Sequence, residues 1–149
     1  MKAQHPQSGF TLIELIVVLI IIGVLAVSLL PRFFTAAGTS EYVYRDQALS
    51  LLRQVQMQAM QCTFCSAPAV TISSDSLVAS GLSCASDSSL VLCPAARDNI
   101  RFSSTSTSTS IGFDNMGRPL GCVGACQLTI EGSTPLLLCI ETEGYIHPC

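Results

Sequence analysis

The stretch SGFTLIELIVVLIIIGVLAVSLL, residues 8–30, constrains this chain more than any other feature, because a long apolar run carries a single carboxylate, Glu14. From Phe10 to Leu30 only Thr11, Glu14, Gly23 and Ser28 interrupt the aliphatic series. At ~1.5 Å rise per residue such a run makes a helix of about 30 Å, the thickness of a hydrocarbon core. Ahead of it stands a short polar leader with Lys2, the only lysine, which favours a cytoplasmic N-terminus. Three readings compete. A secretory signal peptide would end at small residues such as Ala26-Val27-Ser28, but the acid spoils its apolar core. A plain single-pass anchor explains the length and gives Glu14 no purpose. A carboxylate deep in a bilayer costs roughly 2.5–3.5 kcal/mol on insertion scales, so by default it is functional and needs a partner. The third reading is one in which Glu14 has that partner.

Beyond the oily run the chain changes character. All eight cysteines (Cys62, Cys65, Cys84, Cys93, Cys122, Cys126, Cys139 and Cys149) lie there. That density reads as a disulfide framework in an oxidising compartment, stapling a head too small for a large core. Eight cysteines allow 105 connectivities. Short separations suggest Cys122 with Cys126 around a tight loop, Cys84 with Cys93 around a Ser-rich loop, and Cys139 with Cys149 across the tail. Cys62-x-x-Cys65 also admits a redox pair or half a zinc site. Against these, Cys62 sits at a helix end rather than a helix start, and zinc would need four reduced ligands.

Pro31 removes a backbone donor and is expected to kink a continuing helix, with Gly38 a second soft point. After Glu41 the spacing predicts an amphipathic helix: Ala48, Leu52, Val55 and Ala59 form one stripe, with Leu49 and Met60 beside it. Arg45, Asp46, Arg53 and the glutamines 54, 56, 58 and 61 fill the other faces. A continuous helix from Phe10 to Cys62 would run about 80 Å. Past Cys62 come short β-like runs at 69–73, 77–79, 89–92, 100–104, 110–113, 127–131, 136–141 and 144–146, with turns at 114–117, 131–133 and 143–144. Short turns rather than helical crossovers imply an antiparallel sheet, hence an α+β fold with a long N-terminal helix packed on a small disulfide-stapled head. Ser103–Ser110, SSTSTSTS, reads as an exposed edge or loop whose hydroxyls are open to glycans.

Gly9-Phe10-Thr11-Leu12-Ile13-Glu14 followed by an apolar span resembles the signature of type IV pilins and type II secretion pseudopilins. The resemblance implies that a prepilin peptidase cuts after Gly9 and methylates the new terminus at Phe10. It also implies that Glu14 pairs with such a terminus during assembly and that Pro31 marks the family's helix bend. Four segments follow: a leader over 1–9, a transmembrane and filament-core helix over 10–30, an amphipathic half over 31–62, and a periplasmic head over 63–149. Ile111–Pro119, IGFDNMGRP, with the closing LLLCIETEGYI, resembles the heads of H-type and T-type minor pseudopilins. The helix 45–61 and the cysteine-rich head resemble minor pilins of mannose-sensitive haemagglutinin pili. In the motif Gly117 supports a turn, and Arg118 is expected to fix it by hydrogen bonds to carbonyls.

The function implied is a minor pilin or pseudopilin, an inner-membrane protein before it enters a filament. Its partners would be major and minor pilin subunits, the prepilin peptidase and an assembly platform. Removing residues 1–9 deletes Lys2 and takes the formal charge from −3 to −4, which offers no electrostatic footprint for nucleic acid. A DNA-uptake role would have to rest on Arg97, Arg101 and Arg118. A minor pseudopilin of protein secretion and a tethered thiol oxidoreductase using Cys62 and Cys65 are the other readings. No catalytic constellation, metal cluster or cofactor motif stands out. With the leader gone His147 is the only histidine, read as a tail residue.

Overall fold

The computed structural model describes residues 11–34, 40–62 and 68–149, with side chains in the first stretch as far as Ser28. Gly9, Phe10, Gly38 and Cys65 lie outside the described residues. The chain divides into two compact units, Met1–Ala36 and Ala37–Cys149.

The first unit holds one helix, α1, Leu12–Phe34. Helical backbone continues through Pro31 to Phe34, so the proline does not end the helix. The junction at 35–39, and with it the expected unbroken helix to Cys62, falls outside the described residues. Among the described residues no helix is long and apolar enough to cross a membrane, so the span expected over 10–30 is not shown.

The second unit is a helix laid on two antiparallel sheets. Helix α2, Ser40–Gln61, buries Ala48, Leu51, Leu52, Val55 and Ala59, the face that repeats every three or four residues. Met60, expected beside this stripe, is 51% exposed, and Leu51 takes the inner position instead. The strands are β1 Ala69–Ser73, β2 Ser76–Ala79, β3 Val91–Leu92, β4 Arg101–Ser104, β5 Ser110–Phe113, β6 Pro119–Leu120, β7 Cys126–Glu131, β8 Leu136–Ile140 and β9 Ile146–Pro148. A 3₁₀ turn covers Ala96–Asp98.

A single sheet was the expectation, and the strands divide into two: β3-β2-β1-β5-β6 and β4-β7-β8-β9. The division falls at the Ser/Thr run. β4 pairs with β7 (Phe102 opposite Ile130), whereas β5 pairs with β1 (Ile111 opposite Val70). The hydroxyls between them hold the crossing loop: Thr107 Oγ1 donates to the Gly121 carbonyl at 2.9 Å and Ser108 Oγ to that of Ser110 at 2.7 Å. Ser106 Oγ donates to the Ser108 carbonyl. These groups anchor the loop as well as face solvent.

Alternation along the strands aims Val70, Leu77, Ile111 and Phe113 of one sheet and Phe102, Leu128, Ile130, Leu138 and Ile140 of the other into one core with the α2 stripe. The strand read at 89–92 shortens to Val91–Leu92. The last one shifts to Ile146–Pro148, because Gly144 at φ +91° belongs to the preceding turn.

Candidate functional site

The helix start in the first unit is built by the motif itself. Thr11 Oγ1 accepts the Glu14 N–H at 3.4 Å, and the Thr11 carbonyl accepts the N–H groups of Glu14 and Leu15 at 3.1 and 3.3 Å. Threonine followed three residues on by glutamate is the sequence form of a capping box, and an acid in the first turn suits the positive end of the helix. Among the described residues the Glu14 carboxylate makes no hydrogen bond or ion pair, and it is exposed. Around it Leu12, Ile13, Leu15 and the aliphatic residues through Val27 stay 42–77% exposed. A fully buried side chain of this kind is worth about 1.5–3 kcal/mol, so this helix gains much by being covered.

The second unit carries an acid at its own helix start, with the opposite fate. Glu41 is 2% exposed. Its Oε1 accepts the Ser133 N–H from the turn between β7 and β8. Gly132 makes room: a Cβ there would stand 2.4 Å from Glu41 Cγ. Hydrogen bonds from the backbone N–H of Glu41 itself, then from Ser133, hold the carboxyl below its usual pKa despite burial. Nothing in the spacing of charges distinguishes Glu41 from a solvated first-turn acid. Gly132 in the distant turn is the one hint that something lies close.

At the other end of α2 two turns meet on one side chain. Asp114–Arg118 is closed by Asp114 Oδ1, which accepts the N–H groups of Met116 and Arg118 at 2.9 and 2.8 Å. Gly117 sits at φ +80°, the left-handed region that glycine adopts freely. Arg118, expected to bond carbonyls, instead donates from Nε to Asp114 Oδ2 at 2.9 Å. The carboxylate lies four residues back on the same turn and is the stronger acceptor. These donors hold Asp114 below the usual carboxylate range, the Arg118 backbone N–H contributing most. Gln56 Nε2 then donates to the carbonyls of Gly117 and Gly144, both at 2.7 Å. The sequence marks the Gly-Arg turn but not Gln56, one glutamine among several.

The disulfides pair Cys84 with Cys93, Cys122 with Cys126 and Cys139 with Cys149. Cys62 is also disulfide-bonded, so it is not a free thiol. His147 lies beside the last of these bridges. Its Nδ1 faces the Pro148 carbonyl at 2.8 Å and its Nε2 faces Glu141 Oε1 at 3.1 Å, while its ring stacks on Tyr145 at 4.8 Å. Two acceptors, one on each nitrogen, favour the doubly protonated ring, and the Pro148 carbonyl followed by Glu141 raises its pKa. On the α2 side Arg53 Nη2 donates to the Ile146 carbonyl at 3.0 Å and holds β9 from behind.

Residues 4–30 match the prokaryotic N-terminal methylation motif, which is the signal of type IV pilins and pseudopilins. The matched segment contains Gly9, Phe10 and Glu14. No curated protein and no solved structure matches the chain.

Proposed function

We propose that this chain is a minor subunit of a type IV pilus-like filament, held in the inner membrane by residues 10–30 until it is assembled. The observation that supports the pilin-like part of this reading is the methylation-motif match over residues 4–30; the minor role rests on the resemblance of the head alone. In this scheme the prepilin peptidase hydrolyses the Gly9–Phe10 bond, and the amine freed on Phe10 is methylated. That amine is positive and stands four residues from Glu14. In a low-dielectric setting a paired charge is tolerable and an unpaired one costly. The amine of an incoming subunit and the Glu14 carboxylate of its neighbour therefore neutralise one another and set the register. The exposed aliphatic face of α1 is covered first by lipid and then by other subunits. The periplasmic head is positioned by the Glu41 seat and the Gln56 bridge and meets neighbouring heads. The protein is a substrate of processing, with a structural task of its own.

A nucleic-acid role has less support. Arg118 pairs with Asp114 at 2.9 Å and Arg97 with Asp98 at 3.7 Å, so two of the three head arginines already face acids. The test of the filament reading is the mature N-terminus. Mass spectrometry of the protein from cells with the peptidase should find N-methylated Phe10, and from cells lacking it the intact leader. A mature terminus at Leu29, or no processing, refutes the reading.

A further inference from the structure

We propose that the cavity between the β1–β2 turn and the start of β4 binds a sugar acid, a hexuronate whose carboxylate meets Arg101 and whose hydroxyls meet Ser74, Asp75 and Asn99. The site lies wholly within the second unit, so the inference stands apart from the filament reading. The cavity measures about 350 Å³, within the ~300–1,000 Å³ of small-molecule sites. Ser74 and Asp75 line it from the β1–β2 turn, and Asn99, Ile100 and Arg101 from the segment entering β4, with Pro94 and two alanines beside them.

Its polar side chains are unspent. Among the described arginines, Arg45, Arg97 and Arg118 face acids and Arg53 bonds the Ile146 carbonyl, whereas the Arg101 guanidinium makes no ion pair or hydrogen bond. Asp75 accepts the Ser76 hydroxyl at 3.3 Å and forms no ion pair with Arg101. The side chains of Ser74 and Asn99 make no hydrogen bond among the described residues. Elsewhere an acid and a base lining one cavity neutralise each other, as Asp114 and Arg118 do at 2.9 Å. The frame that carries the free groups is fixed. The Phe102 N–H donates to the Ser74 carbonyl at 3.0 Å and ties the two sides together. Tyr44 OH donates to Asp98 at 2.6 Å, and Cys93, next to Pro94, is bonded to Cys84. A fixed frame reduces the ordering cost of binding.

The chemistry of the lining selects the ligand. A guanidinium presents a planar fork that a carboxylate meets with two parallel hydrogen bonds. A phosphate monoester, with nearly two negative charges at neutral pH, would be repelled by Asp75. Asp75 only accepts, while Asn99 and Ser74 both donate and accept, as sugar hydroxyls do. A row of hydroxyls therefore satisfies all three, whereas the ammonium of an amino acid, a donor only, leaves the Asn99 and Ser74 donors unused. Ile100 and Pro94 offer apolar surface to the C–H face of the ring.

The test is an NMR titration of isotope-labelled full-length protein in detergent. Glucuronate should bind with a dissociation constant of about a millimolar, as suits an exposed charge pair, and should shift the amide signals of residues 74–75 and 99–101. Glucose, which lacks the carboxylate, should bind at least about tenfold more weakly, and Arg101→Gln should weaken glucuronate by a similar factor. Asn99→Gly keeps the positive φ of +50° and should weaken it several-fold by removing the amide. Arg97→Gln, outside the cavity, should bind as wild type does, and an unchanged amide spectrum in each variant excludes misfolding. A glucuronate oligomer that binds more tightly than the monomer assigns the ligand to a polysaccharide chain, and equal binding assigns it to a single sugar; both support the site. Equal binding of glucose, tighter binding of free alanine or inorganic phosphate, wild-type affinity in Arg101→Gln, or no saturable binding overturns the proposal. A chain that is never processed or incorporated into a filament leaves each of these outcomes unchanged.

Discussion

Gln56 should contribute measurably to the stability of the head, because one amide nitrogen closes two turns from different parts of the chain. Gln56→Ala removes both bonds, to Gly117 and to Gly144, each 2.7 Å and part-buried. A typical hydrogen bond contributes about 0.5–1.5 kcal/mol net, so losing two costs about 1–3 kcal/mol. For a domain of this size 1 kcal/mol moves the melting temperature by roughly 4 °C, which places the expected drop at roughly 4–12 °C. The assay is thermal and urea unfolding of residues 37–149 with the disulfides intact. Gln56→Glu sharpens it. Near neutral pH a carboxylate would face two carbonyl oxygens, so this variant should be less stable than Gln56→Ala, and it should recover as acid lets the carboxyl donate a proton. A change below about 0.5 kcal/mol for the alanine variant, or a glutamate variant as stable as wild type at neutral pH, refutes the bridging role.

Four further outcomes follow from the same geometry. Gly144→Ala should destabilise the head by at least about 2 kcal/mol in urea unfolding, since φ is +91° and a Cβ would stand 2.1 Å from the Gly117 carbonyl oxygen. Glu41 has a folded pKa below its ordinary 4.5, so its contribution is present above that value and lost as pH falls through the folded pKa. Unfolding curves of wild type and Glu41→Gln should therefore separate above pH 4.5 and converge in acid. His147 carries the opposite sign: its pKa is raised above 6.5, so the stability it adds is complete below 6.5 and lost as pH rises through the folded value. That loss should be absent in His147→Gln. Replacing Cys139 and Cys149 together by serine should cost about 2–4 kcal/mol and speed amide exchange in β8, whose outer neighbour is the three-residue β9.

The parts of this fold that could be read from the sequence are those governed by local periodicity. The α2 stripe of Ala48, Leu52, Val55 and Ala59 and the alternation in 69–73 and 110–113 needed only spacings of three, four and two. The three cystines described in full join residues four to ten positions apart, short enough for proximity along the chain to suggest them. The division into two sheets was not legible. β4 could equally pair with its sequence neighbour β5, and the choice is made by the Ser/Thr loop and by Leu128 and Ile130 of β7. Gln56 and Glu41 were hidden for the same reason. Each looks like an ordinary polar helix residue, and each finds its partner 61 to 92 residues away in a turn. In such cases the trace left in the sequence is a glycine, Gly132 or Gly144, marking where another group comes too close for a side chain.

The two first-turn acids show how similar local sequences lead to different tasks. Glu14 and Glu41 each stand near a helix N-terminus, where the exposed N–H groups favour a negative charge. Glu41 is met by the Ser133 N–H of its own unit, and burial then makes it part of the head's architecture. Glu14 has Thr11 below it, whose hydroxyl oxygen accepts the Glu14 N–H, and around it aliphatic side chains that cannot donate a hydrogen bond to its carboxylate. Surrounding that acid with apolar material raises its energy unless a donor arrives with the covering surface. A helix that gains from being covered and an acid that resists being covered alone therefore select the same kind of partner, one that brings a cation at the depth of Glu14 together with an apolar face. Under the proposed processing, the N-methylated Phe10 of another subunit supplies both. Glu14→Ala should accordingly leave membrane insertion intact and reduce incorporation into filaments, as read by fractionation and by immunoblot of sheared fibres. Normal incorporation of that variant would show that burial alone sets the register.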